Sequence, residues 1–155
     1  YLTNLFDAGA VLDMKQAPGA FKVITAGTLR GKEDGAGAAF TWTHVFKKDS
    51  YSKTVQLDTA QDLQIVEPFV DNPGNSYALD GDDTFVITAK DGKQWRLRIE
   101  DSNVPYTLAH GEQHERYYYP FPGLKAYPLT IRLEGSGPAE VSYTISNRGQ
   151  SKVPE

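Results

Sequence analysis

The stretch from residue 84 to residue 100, TFVITAKDGKQWRLRIE, is the clearest evidence in this sequence for a fold class. Apolar and polar side chains alternate in its first half, from Thr84 to Thr88, and again in its second half, from Gln94 to Glu100. An Asp-Gly pair stands between the halves, and this order is the signature of two antiparallel strands joined by a tight turn. The stretch therefore predicts a β-hairpin.

The register of this hairpin can be predicted from its apolar residues. A two-residue loop at Asp-Gly would pair Ile87 with Arg96, which sets an apolar side chain against a charged one. A three-residue loop, Lys90-Asp91-Gly92, pairs Ile87 with Trp95 instead, and opposed residues share a face of the sheet. We therefore predict the three-residue loop, with Gly92 in the left-handed conformation of a bulge.

The same alternation recurs along the whole chain, and turn residues bound each segment. The best helical candidate is Asn4–Met14, but Gly9 and the spacing of its apolar residues weaken it. Many short strands predict an all-β fold, an antiparallel β-sandwich of the jelly-roll kind, in one domain over residues 1–146 with a polar tail at 147–155. The predicted strands are Ala20–Thr25, Ala38–Phe46, Thr54–Leu57, Leu63–Pro68, Ser76–Asp80, Thr84–Ala89, Gln94–Glu100, Arg116–Tyr119, Leu129–Glu134 and Glu140–Ser146.

The composition excludes several functional classes. The chain has 155 residues, of which 39% are hydrophobic and 23% charged, with a net charge of −4 and no cysteine. A mildly acidic chain lacks the basic field that non-specific nucleic-acid binding requires. No apolar run approaches the roughly 18 residues of a membrane-spanning helix, and the absence of cysteine removes disulfides and thiol chemistry.

Three arginines are candidates for binding an anionic ligand. Alternation places Arg96 and Arg98 on the face opposite Trp95, and it places Arg132 on the outer face of its own strand. If these strands are neighbours, the three guanidinium groups share a hydroxyl-rich face that suits carboxylates or sulfates. The alternative is an ordinary solvated sheet exterior with cross-strand ion pairs.

The run HGEQHERYYYPFPG, residues 110–123, is the second candidate region. Tyrosine faces stack on sugars, so Arg116, Tyr117, Tyr118 and Tyr119 are candidate glycan-binding residues, with Tyr118 expected to be the exposed ring. The alternative is an aromatic edge that closes the sandwich, because a ring with a polar tip suits that position.

The histidines of this run do not form a recognisable metal motif. His110 and His114 occur in the order H-G-E-Q-H, which is not the HExxH order of zinc proteases. On a strand the two rings would lie about 13 Å apart, too far for one ion. A loop that gathers them with His44 stays open, but surface or packing histidines are the simpler interpretation.

The remaining chemical signals favour structure over catalysis. Trp42 and Trp95 alternate with apolar residues, which predicts that both are in the core. The acidic turns at 71–75 and 80–83 offer oxygen ligands for a structural calcium ion, although Asx turns need the same residues. We predict no cofactor and no metal.

From Leu63 onward, the sequence LQIVEPFVDNPGNSYALDGDDTFVITAKDGKQWRLRI resembles the closing β-domain of heparinase II/III-like polysaccharide lyases. The resemblance rests on a Val-Glu-Pro strand start and a Thr-Phe-Val-Ile hairpin strand, and it covers about half of the chain. Such lyases combine a helical toroid, which carries much of the catalytic machinery, with an antiparallel β-region. Because the toroid has no counterpart here, the resemblance implies an accessory domain of a bacterial, secreted or periplasmic polysaccharide-processing protein.

Three functions remain in competition. The first is a non-catalytic module that binds a polysaccharide or oligosaccharide. The second is a lyase in which Tyr118, His110 or His114, and Arg116 supply the base, the acid and the anion-stabilising group. The third is a structural domain that packs on a neighbouring catalytic domain, which an exposed apolar face would favour.

Overall fold

The computed structural model describes residues 2–31, 37–61, 63–112 and 125–148, with side chains from Gly9 to Asn147 within those ranges. These residues form strands joined by turns and loops and contain no helix, which confirms the all-β prediction. The strands are β1 (Leu2–Ala17), β2 (Ala20–Arg30), β3 (Gly37–Lys47), β4 (Ser50–Leu57), β5 (Leu63–Val70), β6 (Ser76–Asp80), β7 (Thr84–Thr88), β8 (Gln94–Ser102), β9 (Tyr106–His110), β10 (Ala126–Leu133) and β11 (Ala139–Arg148).

The weak helical candidate Asn4–Met14 is not a helix but lies within β1. This strand pairs with β2 almost along its full length, and tertiary pairing outweighs the weak local preference. Gly9 allows the strand to pack closely on its neighbours, because a Cβ added there would lie 3.2 Å from the ring of Phe40 and 3.1 Å from the carbonyl oxygen of Ala26. The sequence pattern does not predict β9, and β11 extends to Arg148, two residues beyond the predicted strand end at Ser146.

The strands form one hydrogen-bonded ladder in the order β6-β7-β8-β11-β4-β3-β2-β1-β5-β10-β9. The pairs are antiparallel except for a short parallel contact between β1 and β5 at Leu2 and Thr3. The ladder folds over, because side chains near its two ends touch. Tyr77 of β6 stacks on Tyr127 of β10 with ring centroids 3.5 Å apart.

The fold-over produces a β-sandwich with one buried core. The larger layer contains β6, β7, β8, β11, β4, β3, β2 and the part of β1 that pairs with β2, and the smaller layer contains β5, β10 and β9. Aromatic and aliphatic side chains from both layers fill the space between them, and Tyr143 and Phe85 are the largest that are fully buried. The principal other members are Leu29, Val55, Leu63, Ile65, Leu97, Leu129, Ile131 and Val141.

The predicted hairpin register is confirmed. Ile87 lies opposite Trp95 across β7 and β8. The Ala89 amide donates to the Lys93 carbonyl at 2.9 Å, which closes the three-residue loop. Gly92 has a φ of 83°, the left-handed conformation that the prediction required.

The predicted faces of the last two strands are confirmed in part. In β11, Val141 and Tyr143 are buried, and in β10 so are Leu129 and Ile131. Thr130 of β10 was predicted to face solvent, but its side chain is completely buried.

Candidate functional site

The first candidate site is a groove on the outer face of the larger layer, which we call the arginine groove. Arg96 and Arg98 project from β8, and each lies directly opposite a hydroxyl side chain of β11: Ser146 and Thr144, respectively. With Thr84 of β7 they line a groove of about 380 Å³. The predicted grouping of these two arginines with hydroxyls is therefore confirmed.

The arginine groove has a mixed charge. The side chains of Asp80, Asp83 and Glu100 also line it, so that three carboxylates accompany two guanidinium groups. Arg96 donates to the Asp80 carboxylate at 2.9 Å. Arg98 has only a looser approach to Asp83, at 3.7 Å, and 60% of its side chain is exposed. Arg98 is thus the cation of the groove that is best placed to meet a ligand.

The expectation that Arg132 joins this face is wrong. Its strand, β10, lies between β5 and β9, in the layer opposite β8. Arg132 instead donates to the Glu112 carboxylate at 2.5 Å. Spacing within a strand predicted the face of each arginine correctly, but the order of strands in the ladder separates Arg132 from the other two.

The tyrosine run lies outside the described residues. Arg116, Tyr117, Tyr118 and Tyr119 fall in the segment 113–124, as does His114. Their assignment as glycan-binding residues stays a prediction, and so does the exposure of Tyr118.

His110 is a packing residue at the end of β9. Its Nδ1 lies 2.7 Å from the Tyr127 hydroxyl, and its ring packs on Phe85 at 5.4 Å. Tyr127 in turn stacks on Tyr77, whose hydroxyl donates to the Asp71 carboxylate at 2.6 Å. Burial, followed by this hydrogen bond to a carboxylate, raises the pKa of Tyr77 to about 12. The group is a sheet-to-sheet contact, and no described residue besides Tyr127 hydrogen-bonds the His110 ring.

A polar network crosses the centre of the sandwich. The Lys53 ammonium and the Tyr143 hydroxyl both donate to the same carboxylate oxygen of Glu67. The Lys53 Nζ also lies 4.3 Å from the centroid of the Trp42 ring. Trp42 is buried, as predicted. Burial, followed by the Glu67 charge, raises the pKa of Tyr143 well above its ordinary value.

His44 extends this network toward the surface. It is half-buried, its Nδ1 lies 2.5 Å from the Tyr51 hydroxyl, and its Nε2 lies 3.3 Å from the Thr25 hydroxyl. Burial lowers the pKa of His44, and the nearby Lys53 charge lowers it further. Within the described ranges, no group of three or more His, Asp or Glu side chains is arranged to hold a metal ion.

The second candidate site surrounds Trp95. The prediction that this tryptophan is in the core is wrong, because 44% of its surface is exposed. Trp95 lies on the inner face of β8 near the end of the sandwich, where the smaller layer no longer covers it. With Phe69, Ile87, Ile145 and the turn that follows β5, it lines a pocket of about 240 Å³.

The third candidate site is an apolar surface on β1, β2 and β3, which we call the uncovered face. Its exposed members are Val11, Met14, Phe21 and Phe46, with 56%, 63%, 40% and 43% of their surfaces accessible. The register places Val11 on the same side of the sheet as the buried Trp42. The core-forming face of the larger layer therefore continues past the smaller layer and stays open. The sequence pattern does not predict β1 as a strand, so this surface could not be expected from the sequence.

Comparison with known proteins identifies the family. The model of the ulvan lyase C-terminal domain matches residues 1–148. The chain belongs to this family. None of the curated proteins matches the sequence detectably.

Solved structures agree with membership of the ulvan lyase C-terminal domain family. Heparan sulfate lyase HepC from Pedobacter heparinus superposes with a TM-score of 0.67 at 9% identity, over 95% of this chain and 23% of that one. A heparinase III gene product superposes with a TM-score of 0.60 at 8% identity, over the same shares. Similarity at this identity shows the fold, and it confirms the predicted likeness to the closing β-domain of heparinase-type lyases. The chain spans about a quarter of the length of these lyases.

No helix that could cross a membrane is present among the described residues. The predicted lyase constellation cannot be assembled from them, because Tyr118, His114 and Arg116 lie in 113–124 and His110 is engaged with Tyr127.

Proposed function

We propose that this chain is a non-catalytic accessory domain that packs on the catalytic part of a polysaccharide lyase through the uncovered face. The observation that carries the proposal is the continuity of this face with the core. Phe21 and Phe46 belong to the same sheet surface as the buried Trp42, yet about two fifths of the surface of each residue is exposed.

The energetics favour a partner on this surface. Full burial of a large apolar side chain is worth about 1.5–3 kcal/mol, so covering Val11, Met14, Phe21 and Phe46 would contribute several kcal/mol. Contiguous exposed apolar groups of this kind mark interaction surfaces in folded proteins. The neighbouring rings are already ordered, since Phe46 stacks on Tyr51 at 4.6 Å. A partner would therefore find a preorganised aromatic surface.

Family membership supports the choice of partner. The family is defined as the C-terminal domain of a lyase, and the similar solved lyases are about four times the length of this chain. The remaining part of such an enzyme is the nearest large surface that the uncovered face would meet. Interfaces between domains of one chain commonly bury about 600–1,500 Å².

The test compares paired substitutions on neighbouring residues in a full-length lyase that contains this domain. Phe21→Ser and Met14→Ser change the uncovered face, whereas Lys22→Ser and Lys15→Ser change the opposite face of the same strands. We expect the first pair to separate one calorimetric transition into two and to leave the isolated 155-residue domain as stable as before. Equal melting curves for both pairs would contradict the proposal.

Binding of an acidic glycan in the arginine groove is the second candidate function. It is supported by Arg98, whose side chain is largely exposed beside Thr144 in the groove. A guanidinium presents a planar set of donors that matches a carboxylate or sulfate, and hydroxyls can pair with sugar hydroxyls. The secreted or periplasmic location that the resemblance to polysaccharide lyases implies stays part of this proposal.

Two substitutions that should change the affinity for an acidic oligosaccharide in opposite directions test this second function. Arg98→Gln should weaken binding of an acidic oligosaccharide such as hexagalacturonate, and added salt should weaken it as well. Asp83→Asn should strengthen it by removing a competing carboxylate. Lys22→Gln removes an exposed cation outside the groove and serves as the control. Identical affinities for the Arg98 and Lys22 variants would exclude the groove as the binding site.

A further inference from the structure

The Trp95 pocket has the composition of a small recognition site. An apolar floor is formed by Phe69, Ile87 and Ile145, and the indole of Trp95 forms an exposed wall. Asn72 and Asn75 contribute amide groups at the rim. A mainly apolar cavity with a few polar groups at its edge is the usual form of a site for a small organic ligand.

The rim is held in place before any ligand arrives. The Asn75 amide N–H donates to the Asn72 carbonyl at 3.1 Å, and the Asp71 N–H donates to the Lys125 carbonyl at 2.9 Å. The Asn75 side chain donates through Nδ2 to the Tyr77 hydroxyl at 3.4 Å. Its carbonyl oxygen is left as an acceptor. A preorganised rim lowers the entropic cost of binding.

Charge and size narrow the class of ligand. Among the described residues, no side chain that lines this pocket carries a charge, so a carboxylate or sulfate would be desolvated there without a partner from this set, at high cost. The volume of about 240 Å³ lies below the roughly 300–1,000 Å³ of pockets for drug-sized molecules. A single neutral ring with polar edges and an apolar face fits both limits.

We propose that the Trp95 pocket binds one neutral pyranose residue of a polysaccharide. The apolar C–H face of the sugar stacks on the indole, and the amides of Asn72 and Asn75 pair with its hydroxyls. This site lies on the opposite face of β8 from the arginine groove, so it acts independently of it. It also does not depend on the uncovered face.

The experiment follows the indole N–H of Trp95 and the side-chain amides of Asn72 and Asn75 by NMR in the 155-residue chain. The probes are neutral hexasaccharides of β-1,4-linked glucose, xylose and mannose, at concentrations up to about 10 mM, with hexagalacturonate as the acidic comparison. We expect a neutral probe to shift these signals, with an affinity that does not change with salt.

Variants separate stacking from folding effects. Trp95→Ala should weaken binding about tenfold or more, because the stacking surface is lost. Asn72→Ala removes an exposed amide without changing the apolar floor and should also weaken binding of the neutral sugar. Arg98→Gln should leave the affinity for the neutral sugar unchanged. Trp95→Phe keeps an aromatic face and should bind with intermediate affinity.

Three results would overturn the proposal. They are the absence of shifts with every neutral probe, shifts confined to the arginine groove, and unchanged affinity in Trp95→Ala. If the Trp95 indole signal responds to the catalytic part of the lyase but not to any sugar, the pocket is a docking contact instead. Failure of the calorimetric test on the uncovered face would leave the sugar result unaffected.

Discussion

Lys53 of β4 and Glu67 of β5 form an ion pair across the two layers of the sandwich, with 5% and 8% of their surfaces exposed. The pair is not isolated, because Tyr143 donates to the same carboxylate and the Trp42 ring lies beside the ammonium. Desolvation of two charges is offset only when each has such partners. The pair therefore fixes how the two layers face each other.

Breaking this pair on one side should be costly. Lys53→Met leaves the Glu67 charge buried with Tyr143 as its remaining partner, and we expect a loss of about 3–5 kcal/mol in the free energy of unfolding. The double variant Lys53→Met with Glu67→Gln should recover most of this loss, since a neutral amide still accepts from Tyr143. Urea unfolding measures both.

An exposed pair provides the control for this prediction. Lys93 lies 2.9 Å from Asp91, and both side chains are more than half exposed. Lys93→Met should leave the free energy of unfolding almost unchanged, because solvent screens an exposed pair. If Lys53→Met cost no more than that, the buried network would not stabilise the sandwich.

The folded protein should lose stability in mild acid through His44. Its pKa is lowered from 6.5 in the folded state, chiefly by burial and then by the Lys53 charge, so folding favours the neutral ring. The contribution is complete above pH 6.5 and declines as the pH falls through the folded-state pKa. Glu67 faces the same group and opposes the shift in part.

The variant His44→Gln isolates this effect. It keeps a hydrogen-bonding side chain toward Tyr51 and Thr25 but has no titrating group. We expect a flatter dependence of the unfolding free energy on pH between about 7.5 and 5 in this variant. A parallel decline in both proteins would assign the acid sensitivity to carboxylates elsewhere.

The conformation of Gly92 sets the register of the β7–β8 hairpin. A Cβ at Gly92 would meet no atom within 4 Å, but the φ of 83° is unfavourable for any residue with a side chain. Gly92→Ala should therefore cost about 1–2 kcal/mol from backbone strain alone. Gly137 is equally open and has no positive φ, so Gly137→Ala should be close to neutral in thermal unfolding.

Local pattern predicted the strands and their faces well. The β7–β8 register followed from the positions of Ile87, Trp95 and Gly92, because a hairpin is determined by residues close in sequence. The outward positions of Arg96 and Arg98 followed from the same alternation. Alternation also correctly placed Val141 and Tyr143 of β11 in the core.

Properties that depend on the order of strands could not be predicted. Alternation does not reveal that β10 lies in the layer opposite β8, so Arg132 was grouped wrongly. It also cannot show where a layer ends, which is why Trp95 was placed in the core. The Lys53–Glu67 pair joins two residues whose strands are neither neighbours in the ladder nor marked by any motif.

Fluorescence should show the difference in solvent exposure between the two tryptophans. Trp42 is 7% exposed and Trp95 is 44% exposed, although both lie on the inner face of the larger layer. In Trp95→Phe, the remaining Trp42 emission should be shifted to the blue and resist quenching by iodide. In Trp42→Phe, the emission of Trp95 should be red-shifted and readily quenched. Equal quenching in the two variants would mean that the end of the sandwich is closed over Trp95, and then the pocket beside it would not be open to a sugar.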